Sequence, residues 1–375
     1  MRRITLPLYV GGFLGPFGGA MVAALIPSIA TGLDASVGQV AAAITAYMVP
    51  FAVLQLFSGT LAERLGPRRV VRAGYVAFGV TSLACAFAPD IWTFLGARAA
   101  MGAANAFLSP ILLAALSEVV APAVLGRTVG TFAAAQTAGL TLAPLLGGLL
   151  GEVSWRLGFV LVTVVSVVLA LPKQTLGAAE RQSNPNGRPT LRALLNRWIA
   201  LLATQAALGY LGFTAIGFVL VLVGADEFEL GSGTRGLLIA GYGIGGILLG
   251  RFAGSVVDRA GRPATALAGA VACTAGVVGL VLAPSAWSLG LVYFGIGCAS
   301  TFVWAGLNTI AVESFPQNRA GATSAYSAFK FAGVAIAPLV YVPLFEVDTR
   351  LPFLVAAGFS ALLAVSVVPW FGRYR

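Results

Sequence analysis

The sequence contains no histidine, three cysteines and, among its 23 basic residues, only two lysines. Without imidazole groups the chain lacks histidine-based acid–base catalysis and most kinds of zinc site. The cysteines fall inside apolar runs without metal-binding or redox spacing, and neither lysine follows a phosphate-binding glycine loop, which excludes an ATP site in this chain. We therefore expect a protein that is not an enzyme and that has no cofactor and no bound metal.

Charge is also scarce. Only 10% of the 375 residues are charged, whereas 58% are hydrophobic, and the mean hydropathy is +0.92. A soluble domain carries roughly 25% charged residues, because its surface must stay in contact with water. These few charges cannot cover a globule of this size, so we predict that most of the surface faces lipid.

Apolar runs long enough for a membrane-crossing helix, about 20 residues, occur twelve times. A hydrophilic stretch separates the first six from the last six. The sequence predicts an all-α integral membrane protein with an N-terminal six-helix bundle (1–172), a flexible cytoplasmic linker (173–196) and a C-terminal six-helix bundle (197–375). The predicted spans, numbered 1 to 12 in chain order, are 6–31, 37–58, 70–88, 92–117, 127–150, 156–172, 197–224, 234–253, 264–284, 287–312, 321–345 and 351–371.

The basic residues indicate the orientation of the chain. Most of the 23 lie in loops on the same side as the N-terminus, and only Arg156, Arg235 and Arg350 lie on the other side. The positive-inside rule then places both termini in the cytoplasm. The net charge of +10 reflects this topology, so we expect no nucleic-acid partner. We expect a multi-pass protein of the plasma (inner) membrane, surrounded by the lipid bilayer and acting as a monomer.

The two halves of the chain resemble each other at an offset of 194–195 residues. The segment 59–66 matches 254–261, and Glu118 matches Glu313. Parallel repeats of six helices place a substrate site at mid-membrane between the halves, with rocking as the transport motion. The repeat therefore predicts a transporter.

The repeated segment resembles the signature of the major facilitator superfamily: glycine, three residues, aspartate, a basic residue, any residue, glycine, then basic residues. The first copy departs from it at Glu63 and Pro67. The resemblance implies the twelve-helix fold of that family, with cytoplasmic charge contacts that stabilise the outward-facing state; the alternative is that the arginines only anchor the topology. The loop residues that it assigns to gating are Gly59, Glu63, Arg64, Gly66, Arg68, Gly254, Asp258, Arg259, Gly261 and Arg262.

Span 5 narrows the resemblance to one branch of the family. The run from Gly139 through Pro144 to Gly147 and Gly148 resembles the antiporter signature of the twelve-span drug:proton antiporters, with Ala143 in place of one glycine. The resemblance implies efflux. Small residues four apart also predict close helix packing, so a packing motif with no bearing on direction is the alternative.

Two cations remain inside the predicted spans, and none of the 13 acidic residues accompanies them. Arg98, four residues before Gly102 in span 4, resembles the arginine implicated in proton coupling in the drug:proton antiporters; it could instead snorkel or bond carbonyls of a neighbouring span. Lys330 in span 11 has the neutral Gln136 as its repeat partner. We hypothesise that Lys330 faces the central cavity and either binds an anionic group or exchanges a proton. Other candidates for the cavity lining are Tyr47, Gln55, Asn105, Gln136, Tyr242, Trp304, Asn308 and Tyr326.

The sequence therefore predicts a secondary transporter that moves a small organic solute by alternating access. Proton-coupled efflux is the first interpretation, with protons as the coupling ion. Two cations without an embedded acid favour anionic or neutral amphipathic substrates. The alternative is a major-facilitator importer, uniporter or anion exchanger for a small organic anion. A membrane sensor that transports nothing would need a sizeable soluble domain, and the loops are short.

Overall fold

The computed structural model describes residues 2–108, 111–112, 122–171, 196–313 and 319–374. All regular elements in these residues are helical, and each predicted span coincides there with a helix or a broken helix, which confirms the all-α class. A π-helical turn, Tyr210–Thr214, lies between α8 and α9. The helices are α1 (Arg2–Ala20), α2 (Val22–Gly32), α3 (Val37–Leu65), α4 (Pro67–Ala86), α5 (Ile91–Asn105), α6 (Pro122–Gly151), α7 (Arg156–Ala170), α8 (Arg197–Gly209), α9 (Gly217–Asp226), α10 (Ser232–Ala260), α11 (Arg262–Val281), α12 (Ala286–Glu313), α13 (Arg319–Val347), α14 (Leu351–Val367) and α15 (Pro369–Arg373).

Length and hydropathy identify most of these helices as membrane spans. Within the described residues seven are long and apolar enough to cross a bilayer, or up to nine if each bent pair is one span. The bend in span 1, where α1 meets α2, measures 46°. The predicted spans 3, 4 and 6 fall outside that count, because α4 begins with basic residues and the described parts of α5 and α7 have only 15 residues each.

The chain forms two compact units. The first comprises Met1–Asn184 together with Gly231–Gly236, and the second comprises Pro185–Leu230 together with Leu237–Arg375. The predicted linker at 173–196 lies almost wholly outside the described residues. Its boundaries and its flexibility therefore stay predictions.

The internal repeat is visible in the packing of each unit. In the first unit α1 packs against α6, and α4 packs against both α5 and α7. In the second unit α8 packs against α13, and α11 packs against both α12 and α14. These are the corresponding spans of the two halves, so the repeated architecture is confirmed within each unit.

Local signals fix several helix starts. The Ser36 hydroxyl accepts a hydrogen bond from the Gln39 amide, and the Gln39 side chain accepts one from the Ser36 amide, which forms a capping box before α3. Asp90 caps α5 by accepting hydrogen bonds from the amides of Trp92 and Thr93 at 2.8 and 2.9 Å. The hydrogen bond from the Thr93 amide, with the others to this carboxylate, lowers the pKa of Asp90.

The two signature loops share an unusual backbone conformation. Gly66 has a φ of +87° and Gly261 has a φ of +86°, both in the left-handed region. Apart from the adjoining residues of the chain, no described atom lies within 4 Å of the place that a Cβ would take at either residue. The requirement for glycine at these two positions therefore comes from the backbone conformation and not from crowding.

We expect Gly66→Ala and Gly261→Ala each to lower the free energy of unfolding by about 1 kcal/mol, because alanine is strained at a positive φ. Thermal unfolding of the purified protein in detergent measures the loss. The matched control is Gly358→Ala in α14. A Cβ at Gly358 also meets no described neighbour within 4 Å, but this glycine lies inside a helix, so the melting temperature of the variant should stay equal or rise. Equal melting temperatures for the three variants would contradict the assignment of strain.

Candidate functional site

Arg98 lies in α5, and its side chain is fully buried. Nη1 donates a hydrogen bond to the carbonyl oxygen of Gly18 at 2.9 Å, and Nη2 donates one to that of Gly19 at 3.1 Å. Both carbonyls belong to the last turn of α1, where a helix leaves carbonyl groups without amide donors. The guanidinium thus supplies hydrogen bonds at the bend of span 1.

The second unit contains an equivalent hydrogen bond with a different donor. At an offset of 195 residues, Arg98 corresponds to Tyr293 and Gly19 corresponds to Thr214. The Tyr293 hydroxyl donates to the Thr214 carbonyl oxygen at 3.0 Å. A neutral phenol in one repeat therefore does the bonding that a guanidinium does in the other.

The aromatic ring beside this donor is repeated as well. The Arg98 Cζ lies 4.3 Å from the ring centroid of Tyr47. Tyr242, 195 positions after Tyr47, stacks on Tyr293 with 5.1 Å between ring centroids. The environment of Arg98 is therefore a feature of the repeated fold, and its contacts are those of a residue that positions span 1.

Two further polar side chains approach the glycines of α1. A methyl group at Gly11 would lie 1.9 Å from the Tyr75 hydroxyl oxygen, and one at Gly15 would lie 2.3 Å from Asn105 Oδ1. Both oxygens are buried and have no hydrogen-bond partner among the described residues. Only glycine leaves room for these side chains against the α1 backbone.

The antiporter-like run in α6 faces span 1 of the same unit. A methyl group at Gly139 would lie 2.3 Å from the Phe13 carbonyl oxygen, and one at Gly147 would lie 3.0 Å from the Cβ of Met21. Met21 is the residue between α1 and α2. The small residues of this run therefore bring α6 into close contact with the bend that Arg98 supports.

The other end of the run contacts the segment Gly231–Gly236, which belongs to the first unit. The Ser232 hydroxyl donates to the Gly148 carbonyl oxygen at 2.8 Å, and Glu152 Oε1 accepts from the Gly233 amide at 2.6 Å. The role of this run in antiport stays a prediction, and its observed contacts are backbone packing.

Lys330 lies in α13 and has surroundings unlike those of Arg98. Its Nζ lies 5.2 Å from the ring centroid of Tyr326, 5.3 Å from that of Trp304 and 5.4 Å from that of Tyr210. Within the described part of the chain it makes no hydrogen bond and no ion pair. We call Tyr210, Trp304 and Tyr326 the aromatic cage.

The π-helical turn carries Tyr210 of the cage. Two of its backbone carbonyls accept hydrogen bonds from side chains of the same unit: the Tyr341 hydroxyl donates to the Leu211 oxygen, and the Tyr293 hydroxyl donates to that of Thr214. Single π-helical turns occur frequently at functional sites. Here the turn interrupts span 7 at Tyr210, whose ring contacts Lys330.

Trp304 is held in place from behind. Its Nε1 donates to the Tyr242 hydroxyl at 3.4 Å, and that hydroxyl shares a 2.9 Å hydrogen bond with Thr214 Oγ1. A methyl group at Gly209 would lie 2.8 Å from the Trp304 ring. The cage therefore has one fixed wall, whose position depends on a hydrogen-bonded neighbour and on a glycine.

The structure distributes the predicted cavity residues between the two units. Tyr47 and Asn105 lie beside span 1 in the first unit, whereas Tyr242, Trp304 and Tyr326 surround or support the Lys330 site in the second. The remaining candidates are Gln55 and Gln136, which are half-buried, and Asn308, which is exposed. Sequence reasoning missed Tyr210, although the unusual length of the predicted span 7 was a signal that this span is broken.

Arg262, one of the predicted gating residues, forms an ion pair with Glu313 at the end of α12. Arg262 Nε donates to Glu313 Oε2 and Arg262 Nη2 donates to Glu313 Oε1, both at 2.9 Å. The hydrogen bond from Arg262 lowers the pKa of Glu313. The residue 195 positions before Arg262 is Pro67, which carries no donor, and Glu118 lies outside the described residues. The second repeat therefore has an ion-pairing arginine at the loop position where the first repeat has a proline.

Most of the other predicted gating residues are exposed or lie where their surroundings are not described. Arg68, Asp258 and Arg259 are exposed. The side chains of Glu63 and Arg64 at the end of α3, and the surroundings of Gly59, lie outside the described part of the structure. In the described part of the chain, no atom beyond its neighbours in the helix lies within 4 Å of a Cβ position at Gly254. Their gating role stays a prediction.

Comparison with known proteins gives consistent sequence matches. A family model described as the Major Facilitator Superfamily matches residues 8–338 and 202–375. The multidrug efflux protein YfmO of Bacillus subtilis (strain 168) is 25% identical over 334 residues, covering 85% of this chain and 81% of that protein. The quinolone resistance protein NorA of Staphylococcus aureus (strain MSSA476) is 22% identical over 379 residues, covering 98% and 96%.

A solved structure supports the same architecture. The crystal structure of the nucleoside transporter NupG is similar to this chain with a TM-score of 0.81 at 15% sequence identity, covering 98% of this chain and all of that one (100%). At this identity the similarity concerns the fold.

We expect Arg98→Ala to lower the free energy of unfolding by about 3 kcal/mol, because the buried carbonyls of Gly18 and Gly19 lose their donors. Arg98→Lys should lose about half as much, since an ammonium does not match the forked donors of a guanidinium. Thermal unfolding in detergent measures both. The control is Arg156→Ala, whose guanidinium lies 4.2 Å from the Trp155 ring but is half-exposed, and it should cost less than about 1 kcal/mol. Equal losses in Arg98→Ala and in the control would refute the positioning role.

We expect Glu313→Gln to lower the free energy of unfolding by about 0.5 kcal/mol at neutral pH, a small value because both partners are partly exposed to solvent. Since the folded-state pKa of Glu313 is lowered, the contribution is present above the unfolded-state pKa of about 4.3 and is lost as the pH falls through the lower folded-state pKa. Melting curves at pH 7 and pH 3.5, each with and without 1 M salt, test this. At 1 M salt the Debye length is ~3 Å, so the contribution of a solvent-exposed ion pair is screened. Glu346→Gln, at an exposed acid of α13, is the control, and a loss in Glu313→Gln that persists at pH 3.5 argues against the ion pair.

Proposed function

The chain belongs to the major facilitator superfamily, and we propose that it exports small organic compounds in exchange for protons. Membership of this family makes it a multi-pass membrane transporter of small molecules rather than an enzyme. The relatives named for multidrug efflux and for quinolone resistance align over most of their length, which supports export over import. These relatives are bacterial, so the plasma (inner) membrane is the proposed location.

The observation that carries the proposal is the contrast between the two cations inside the spans. The terminal nitrogens of Arg98 are engaged by backbone carbonyls, and a guanidinium does not give up its proton in a protein. The Lys330 ammonium contacts ring faces, with no ion pair among the described residues to break when its proton leaves. Lysine is also the cation whose protonation responds to burial. Of the two residues, Lys330 is suited to exchange a proton.

In the proposed cycle Lys330 takes up a proton when its site is open to the outside. It releases that proton when the site is open to the cytoplasm, and the substrate moves in the opposite direction. Alternating access between two six-helix units provides the two states. The Arg262–Glu313 pair is a candidate stabiliser of one of these states, because it joins the start of α11 to the end of α12.

An importer, uniporter or anion exchanger for a small organic anion is the second candidate. It is favoured by the presence of two cations inside the spans without an ion pair to any described acid. The hydrogen bonds of Arg98 weaken this candidate, because both terminal nitrogens already have acceptors. The names of the relatives also fit it less well than they fit efflux.

We expect Lys330→Gln to reduce substrate-driven proton movement at least tenfold, because the amide cannot carry the proton. Lys330→Arg should fail equally, since it keeps the charge but cannot release it. Proteoliposomes that contain a trapped pH-sensitive dye measure the proton movement, with ethidium as the cationic probe and benzoate as the anionic probe. The control is Phe329→Ala, at the partly exposed neighbour of Lys330 in α13.

Expression level and melting temperature of the Lys330 variants should match those of the unmodified protein, which separates loss of coupling from loss of folding. Normal proton movement in Lys330→Gln would sink the proposed role of this residue. Movement of benzoate that is independent of the pH gradient, with no movement of ethidium, would favour the anion exchanger.

A further inference from the structure

The aromatic cage already holds an ammonium group. Three ring centroids lie 5.2–5.4 Å from Lys330 Nζ, inside the distance of about 6 Å within which a cation is attracted to a ring face. The rings come from three separate elements: the π-helical turn, α12 and α13. Their convergence therefore depends on the fold of the second unit and not on spacing within one helix. Cages of this kind are a means by which proteins bind quaternary ammonium ligands.

We propose that the aromatic cage binds an organic ammonium group of the transported substrate, and that the Lys330 ammonium occupies the same place as a tethered competitor. The proposal rests on the proposed export function, whose substrate class it names. A substrate cation enters the cage as Lys330 loses its proton to water and its side chain withdraws. When the substrate leaves, Lys330 takes up a proton and returns. One cation replaces one proton, so the charge of the site is unchanged.

The chemistry of the cage favours a cation over an anion. The face of an aromatic ring carries the negative part of its quadrupole, so an anion placed among three such faces is repelled. Among the described residues, the titratable groups that face Lys330 are the phenols of Tyr210 and Tyr326, with the phenol of Tyr242 behind Trp304. No described acid forms an ion pair with Lys330, so a substrate cation would compete only with the lysine itself.

Two further observations point to a ligand. The Tyr326 side chain is 3% exposed, and its hydroxyl has no hydrogen-bond partner among the described residues. A substrate that carries a hydrogen-bonding group next to its ammonium would satisfy it. Trp304 is already oriented by Tyr242, so the cage wall needs no rearrangement when the occupant changes.

Calorimetric titration of the purified full chain with benzyltrimethylammonium tests the competition. Between pH 6 and pH 7 the affinity should rise about tenfold, because each binding event releases one proton. Titrations in two buffers with different ionisation enthalpies count that proton directly. Benzyl alcohol, which has the same ring without the charge, should bind weakly and without pH dependence.

Two variants separate the cage from its occupant. Lys330→Met keeps an apolar stem but removes the competitor, so it should bind benzyltrimethylammonium at least tenfold more tightly at pH 7, with no pH dependence and no proton release. Adding Trp304→Ala to that variant should weaken binding about tenfold. Trp287→Ala, at an exposed tryptophan of the same helix, is the matched control and should change nothing.

Several results would overturn the proposal. They are loss of cation binding in Lys330→Met, binding without proton release in the unmodified protein, and tighter binding of benzoate than of benzyltrimethylammonium. If Lys330→Met does not fold, the proton count in the unmodified protein decides alone. A further result is possible: export is proton-coupled and depends on Lys330, while benzyltrimethylammonium does not compete with the Lys330 ammonium. That result would refute this inference and leave the proposed function unaffected.

Discussion

A backbone that breaks inside a membrane must find its hydrogen-bond partners within the protein, because lipid offers none. Span 1 breaks at Met21 and span 7 breaks at the π-helical turn. Arg98 serves the first break, and the hydroxyls of Tyr293 and Tyr341 serve the second. Each of these donors comes from another helix of the same unit. The breaks are therefore compatible with lipid only when that unit is packed, which ties the bend of each span to the folding of its six-helix repeat.

The two repeats share these backbone contacts and differ in the positions of their charged side chains. Gly102 and Gly297, 195 residues apart, allow the same close approach: a methyl group would lie 2.0 Å from the Tyr47 carbonyl in one unit and 2.1 Å from that of Tyr242 in the other. A cation appears where its repeat partner is neutral, at Arg98 in the first unit and at Lys330 in the second. Because the fold is common to both units, such differences are the places to look for function.

Much of this arrangement could be predicted from the sequence. The aromatic cage and the partners of Arg98 could not, for physical reasons. The scarcity of charge, the apolar runs and the repeated glycine loops predicted the spans and the repeat. Arg98 and Lys330 were identifiable because charge inside a span is costly. The cage was not predictable, because the length of span 7 indicates a break but does not locate the π-helical turn that carries Tyr210. Whether Arg98 binds backbone or substrate also depends on three-dimensional packing that spacing does not report.

The surroundings of Lys330 set how readily it can act in a cycle. A buried lysine paired with a carboxylate would lose about 3–5 kcal/mol when the pair is broken, which would hold it in one state. Contact with an aromatic ring is worth about 0.5–2 kcal/mol, and it is lost without leaving an opposite charge unpaired. A shell of three rings can therefore hold an ammonium at membrane depth and still release it within a transport cycle. No acid among the described residues pairs with Lys330, and this is what allows its ammonium to release a proton or to give way to a substrate cation.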